Sequence, residues 1–343
     1  MKKFPRRPQT VNPIWRRRST AALMMAGRLL LGMGWLWAVL ALSHFPAWPG
    51  WARGVGALFW LEASVIVWRT SSLRKTATPL LLGGIVLVGL LWAFNQPSNE
   101  RDWVPDQARI PTARFEGSIV TIRNVRHATY RTTNDFDVVW HERQYDLDAI
   151  STVDFVVEPF RLWGGLAHTF LTFGFKDGRH VAISVEIRRE QGESFGFLKG
   201  IFRNFEIAYV IADERDLIGL RANVRKSAVY VYPGRVTHEQ ARALFMDMLG
   251  HANRLAEKPV FYHSITDNCT TRVMDHVNMF RTDKIGFGWR TLLPGYTDAL
   301  AWDLALIDFD GTFDEARQRF RINTRSAFGA DEKGWSKQIR SSK

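Results

Sequence analysis

The 343-residue chain contains one cysteine, in "ITDNCTTRVMDH" at 265–276. A lone thiol has no intramolecular disulfide partner. It is an intermolecular bridge, a buried small hydrophobe or a reactive group. Free cysteine is among the most buried residue types, but Asp267, Asn268, Thr270 and Thr271 surround Cys269, and polar neighbours argue against burial. The stretch also reads as the start of a helix running past Val277. The sulfur then sits at a helix N-terminus, where the dipole favours thiolate over thiol. Asn268 is placed to cap that helix or to donate to an oxyanion.

A thiolate nucleophile needs a base, usually histidine. Of nine histidines, His168 stands out, following Gly164-Gly165 and opening an apolar, aromatic-rich run. A hydrogen-bonded strand histidine is the rival reading. "LAHTFLTFGF" (166–175) and "RHVAISVEIRRE" (179–190) flank Lys176-Asp177-Gly178, which predicts a β-hairpin. A two- or three-residue turn sets His168 opposite residue 187 or 186. In the shorter-sum register Glu186 is the group that orients the ring, with His180 and Ser184 as alternatives.

Two other motifs carry less. "GESFG" (192–196) fits a hydrolase nucleophile elbow, but "FLKGIFRNFE" is a poor nucleophile helix and βαβ alternation is missing, so Ser194 reads as a turn. "DFDGTFDE" (308–315) fails as a calcium loop, because alignment on Gly311 puts Leu306 and Arg317 at the first and last ligand positions. No metal or nucleotide cofactor is expected.

These residues need a scaffold, and the composition divides it in two. The net charge of +12 raises a nucleic-acid reading, yet seven positive charges (Lys2, Lys3, Arg6, Arg7, Arg16, Arg17, Arg18) precede an apolar run. That placement fits a cytoplasmic membrane flank rather than a nucleic-acid partner. After this basic segment, 1–20, the region 21–96 reads as three spans, at about 21–43, 51–68 and 78–94. The middle one is weakest, with Arg53 at one end and Glu62 inside. The loop charges, including Arg69, Arg74 and Lys75, put the N-terminus in the cytoplasm and everything after three spans outside it.

Residues 97–116 read as a polar linker, 117–325 as the soluble domain and 326–343 as a polar basic tail. Strands are predicted at 117–130, 135–147, 152–160, 205–212 and 227–232 besides the hairpin. Helices are predicted at 237–258, from Cys269 and at 296–308. The first carries a Thr237/Gln240 capping box and a stripe of Ala241, Leu244, Phe245, Met248 and Leu249. Strands followed by helices make this an α+β domain.

With "AHTFLTFGFKDGRHVAISVEIRREQGESF", "YHSITDNCTT" and "LLPGYTDALAWDL" in order, the segment from about 115 to 325 resembles the Lnb N-terminal periplasmic domain family. The resemblance implies a permuted papain-like (NlpC/P60-like) thiol fold with histidine before cysteine, here His168 and Cys269. It implies a bacterial inner-membrane protein with a periplasmic catalytic domain, moving an acyl chain from phospholipid to the N-terminal amine of a lipoprotein. Arg188, Arg189 and Arg203 are then candidates for a headgroup phosphate, although such a run is more often a solvated face. In the transferase of this family the membrane helices follow the domain, whereas here they precede it. The competing functions are a cysteine amidase or peptidase acting on peptide or cell-wall substrates, and a non-catalytic membrane-tethered binding module.

Overall fold

The computed structural model describes residues 13–341 except Ser71, Arg74, Leu162 and Ala330. Lys2, Lys3, Arg6, Arg7 and Arg74 of the charge argument lie outside the described residues, as do the side chains of Arg16, Arg17 and Arg18. The chain forms two compact units, Met1–Gln96 and Pro97–Lys343.

The first unit contains α1 (Pro13–Ser43), α2 (Gly50–Arg69) and α3 (Ala77–Phe94). Small residues let these helices approach. Gly34 rests against Ile85 and Gly84 against the Trp60 ring, where a Cβ would come within 2.3 Å of the indole. Trp35 Nε1 donates to Ser64 Oγ across α1 and α2 at 2.9 Å. Leu, Val, Phe and Trp side chains cover the outer faces. Ala21–Ser43 and Ala77–Phe94 are long and apolar enough to cross a membrane. The α2 helix carries Arg53 and an exposed Glu62 and is less apolar.

The second unit is α+β. Its strands are β1 (Thr112–Glu116), β2 (Ile119–Tyr130), β3 (Phe136–Asp146), β4 (Ile150–Pro159), β5 (Ala167–Phe175) and β6 (His180–Arg188). After α4 (Phe197–Ile201) come β7 (Glu206–Ala212), α5 (Glu214–Gly219) and β8 (Tyr230–Pro233). The helices α6 (His238–Glu257), α7 (Cys269–Asn278), α8 (Trp289–Leu292), α9 (Thr297–Asp303), α10 (Phe313–Phe320) and α11 (Glu332–Arg340) follow. The sheet runs β1-β2-β7-β6-β5-β4-β8 with β3 paired to β2, and it is antiparallel except where β2 meets β7.

Central β5 and β7 are buried along their whole length because helices cover both faces of the sheet. On one face Leu244, Phe245, Met248 and Leu249 of α6 pack against Phe173, Phe175, Ile183 and Tyr209. On the other, Leu217 and Ile218 of α5 and Trp335 and Ile339 of α11 pack against Phe170, Ala182 and Val210.

Two boundaries differ from the sequence reading. The linker 97–116 contains a buried Trp103 and the edge strand β1, because Trp103 stacks under the Arg188 guanidinium at 4.1 Å. The supposed tail 326–343 holds α11. Trp335 is fully buried and donates to Ser326 O, while Arg340 reaches Asp154 and the buried Glu214 at 2.6 and 2.5 Å. Apolar residues four apart on an otherwise largely polar helix were too sparse to reveal that face.

Candidate active site

The β5–β6 turn sets the geometry. Gly178 takes φ +84°, open to glycine without strain, and Asp177 accepts from the Arg179 N–H. Leu171 pairs with Ile183 and Gly174 with His180. That register, continued outward, places His168 opposite Glu186, as the shorter-sum alternative had it.

His168 Nε2 lies 2.7 Å from Ser184 Oγ and 3.1 Å from Glu186 Oε1, and Ser184 Oγ donates to the same carboxylate oxygen at 2.7 Å. Glu186 and Ser184 thus act together on one ring nitrogen. His180, the third candidate, lies at the hairpin turn, with Nδ1 near Gly178 O. With Nε2 committed, Nδ1 is the nitrogen left for the sulfur, and the charges of His168 and Cys269 act on each other.

Cys269 is the first residue of α7. The local sequence makes that start firm. Asn268 Oδ1 accepts from the Thr270 and Thr271 N–H groups, and Thr271 Oγ1 accepts from the Asn268 N–H in return. The same bonds overturn the expectation that polar neighbours keep the cysteine exposed. Cys269, Asn268, Thr270 and Thr271 are all 5–6% exposed, their polar atoms satisfied by the cap. Asn268 Nδ2 donates one of its two hydrogens to Ser264 O at 3.0 Å, and the residue lines the cleft beside Cys269. Thr169 Oγ1 lies 3.2 Å from Thr270 Oγ1, tying β5 to the head of α7. Among the described residues the Cys269 N–H has no hydrogen-bond acceptor, as expected for the first N–H groups of a helix.

Burial pushes the His168 pKa down, but the negative charges of Glu186 and Cys269 outweigh it and hold it up at about 9. Burial pushes the Cys269 thiol up, and the His168 charge, its hydrogen bond and the Thr169 N–H bring it below the ordinary thiol value. Burial likewise opposes ionisation of Glu186, yet His168 and Arg221 hold it well below the carboxylate range. All three directions favour a thiolate–imidazolium pair backed by a carboxylate.

Arg221 was not singled out in the sequence. It lies in the π-helical turn Leu220–Val224, with Nη2 at 2.7 Å from Glu186 Oε1 and Nε at 2.9 Å from Glu158 Oε2. Its one legible sign was Glu158, an acid inside the apolar run "TVDFVVEPF" that must find a cation when buried.

Cys269, His168 and Glu186 line a cleft of about 780 Å³ together with Tyr262 and the arginines 126, 189, 221 and 225. Of the three arginines proposed from sequence, only Arg189 reaches it. Arg188 is buried, donating to Gln107 O, Ala108 O and Asn99 Oδ1, and so holds the 99–108 segment on the sheet. Arg203 is exposed and lies over the Phe261 ring. Arg225 is the better-placed cation, 44% exposed and 3.7 Å from Glu158. Ser194 lies in a loop, where Lys199 Nζ donates to its carbonyl, and forms no elbow.

The model of the Lnb N-terminal periplasmic domain family matches residues 136–295, a segment that runs from β3 through α8 and contains His168, Glu186, Arg221 and Cys269. No curated protein and no solved structure matches the chain. By the family match, the unit that carries this cleft belongs to the Lnb N-terminal periplasmic domain family.

Proposed function

We propose that the chain is a membrane-anchored cysteine acyltransferase that takes an acyl group from a phospholipid ester onto Cys269 and passes it to an amine. The observation that carries this reading is the Cys269–His168–Glu186 alignment at the head of α7 on the wall of an open cleft. The thiolate attacks the ester carbonyl carbon, a C–S bond forms, and the carbonyl electrons move to oxygen. The Cys269 N–H is the donor for that oxyanion. Collapse breaks the ester C–O bond, and His168 gives its proton to the departing alkoxide. An acceptor amine then attacks the thioester, His168 takes its proton, and sulfur leaves as thiolate.

Two further features support a lipid donor. The family match and the two apolar helices agree with a membrane-anchored protein carrying a periplasmic domain. Behind Thr270, an apolar cavity of about 110 Å³, lined by Leu171, Leu244, Val273 and Leu300, has room for part of an acyl chain. In this reading α2, a continuous helix of 20 residues, is the third crossing, the N-terminus is cytoplasmic and the fold is of the permuted papain-like type.

The test uses the full-length chain in detergent with a phospholipid carrying a labelled acyl chain. The expected result is release of lysophospholipid and a labelled Cys269 adduct that neutral hydroxylamine cleaves. A chain that leaves phospholipid intact while hydrolysing amide substrates through Cys269 is a hydrolase, and the transferase reading fails.

A further inference from the structure

Away from the cleft, α6 and α7 bring together Asp247, His251 and His276. Asp247 and His251 stand four apart on α6, which puts both on one face. His276 comes from the last turn of α7. One ligand atom from each residue lies within 4.8 Å of the others. His276 Nδ1 is 2.5 Å from Asp247 Oδ2, His251 Nδ1 is 3.5 Å from Asp247 Oδ1, and the two rings are perpendicular with centroids 4.7 Å apart.

We propose that Asp247, His251 and His276 form a zinc-binding site, with water as the fourth ligand.

Three observations beyond proximity support it. Two imidazoles and a carboxylate suit zinc better than magnesium or calcium, which take oxygen ligands. The far nitrogen of His276 already has its outer partner, Nε2 lying 2.6 Å from the hydroxyl of the buried Tyr209. A metal-bound histidine characteristically donates its other N–H in this way, which fixes the tautomer and leaves Nδ1 for the ion. The place already holds a cation, since Arg254 Nη2 lies 2.5 Å from His251 Nδ1 and 3.9 Å from Asp247 Oδ1. Arg254 is 59% exposed, so its guanidinium can swing into solvent and leave the donors to an ion. Zinc–ligand bonds of about 2.0–2.1 Å require the donors to close to roughly 3.3 Å, within reach of side-chain rotation.

The site would clamp the C-terminal turn of α7 to α6, leaving the end with Cys269 untouched. The test uses the full-length chain without a histidine tag, in a Cys269→Ala background so that the thiolate cannot bind metal. After stripping with chelator, zinc is titrated by calorimetry and counted by elemental mass spectrometry. One zinc per chain and a zinc-dependent rise in Tm are expected. Affinity should drop at least tenfold in His251→Ala and increase in Arg254→Ala, which removes the competing cation. No zinc on the wild-type ligand set, zinc at no fixed ratio, or equal affinity in His251→Ala overturns the proposal.

Discussion

At the first residue of α7, the Cys269 sulfur meets a His168 ring whose other nitrogen faces Ser184 and Glu186, with Arg221 behind the carboxylate. In the last turn of the same helix, His276 has Asp247 on one nitrogen and the Tyr209 hydroxyl on the other. Both histidines are buried beside a carboxylate, so neither burial nor a neighbouring acid separates their roles. What differs is the second nitrogen. His168 spends it on a titratable thiol at a cleft, where a proton can move to a substrate. His276 spends it on a phenol between strand and helices, where the bond holds α7 in place. The comparison therefore assigns chemistry to the start of the helix and anchoring to its end.

The strongest way to break that assignment is Cys269→Ala. Loss of the nucleophile should remove the acyl adduct and lower turnover by a factor on the order of 10⁴ or more, with Tm little changed. Lysophospholipid release measured on the purified variant decides it, and retained turnover would end the thiol mechanism.

Glu186→Gln should come next, with a loss of roughly 10²-fold. The amide keeps the shape but removes the charge that holds the imidazolium, and it leaves Arg221 with Glu158 alone. The sign of the pH effect follows. The reactive pair exists above the depressed thiol pKa and below the raised His168 pKa of about 9. In the wild-type chain the acid limb of alkylation by iodoacetamide should lie below the ordinary thiol range. In the variant the acid limb should move up toward the ordinary thiol range near 8.5. An unmoved limb would mean that Glu186 does not support the pair.

Tyr209→Phe probes the other end. It leaves the buried His276 nitrogen without its partner and should cost about 1–2 kcal/mol, read as a lower midpoint of denaturant unfolding. Alkylation of Cys269 should keep its rate and its pH midpoint. A change in thiol reactivity would show that the two ends are coupled through the helix.

Much of the first end was legible in the sequence. The Asp-Gly turn narrowed the partner of residue 168 to 186 or 187, and the observed pairing selects 186. The capping pattern at Asn268 fixes where α7 starts and so where the sulfur stands. The second end was less legible, because the 247/251 spacing gains meaning only when a distant histidine packs against it. Arg221 was hidden for the same reason: its partners Glu158 and Glu186 lie 63 and 35 residues away, and its own turn is π-helical. Arg188 misled because arginines in a row read as surface, whereas strand alternation sends Arg188 into the protein and Arg189 toward the cleft.

Asn268→Ala is the subtlest test, and it bears on whether this residue serves the helix or the reaction. Its Oδ1 takes two backbone N–H groups and its Nδ2 is bound to Ser264 O, so removing the side chain frees two donors at the start of α7 and one carbonyl in the preceding loop. Loss of an N-cap costs about 1 kcal/mol, which should appear as a Tm lower by a few degrees. A lost oxyanion donor would instead cost roughly 10²–10³-fold in kcat without any stability signature. The geometry favours the first outcome: a modest fall in Tm, and a rate at 25 °C within a few-fold of the parent, the remainder reflecting a sulfur held less firmly against His168. If Asn268→Asp, which keeps the accepting oxygen and discards the Nδ2 donor, restored Tm but not kcat, the amide would have a part in the chemistry that its hydrogen bonds here do not suggest.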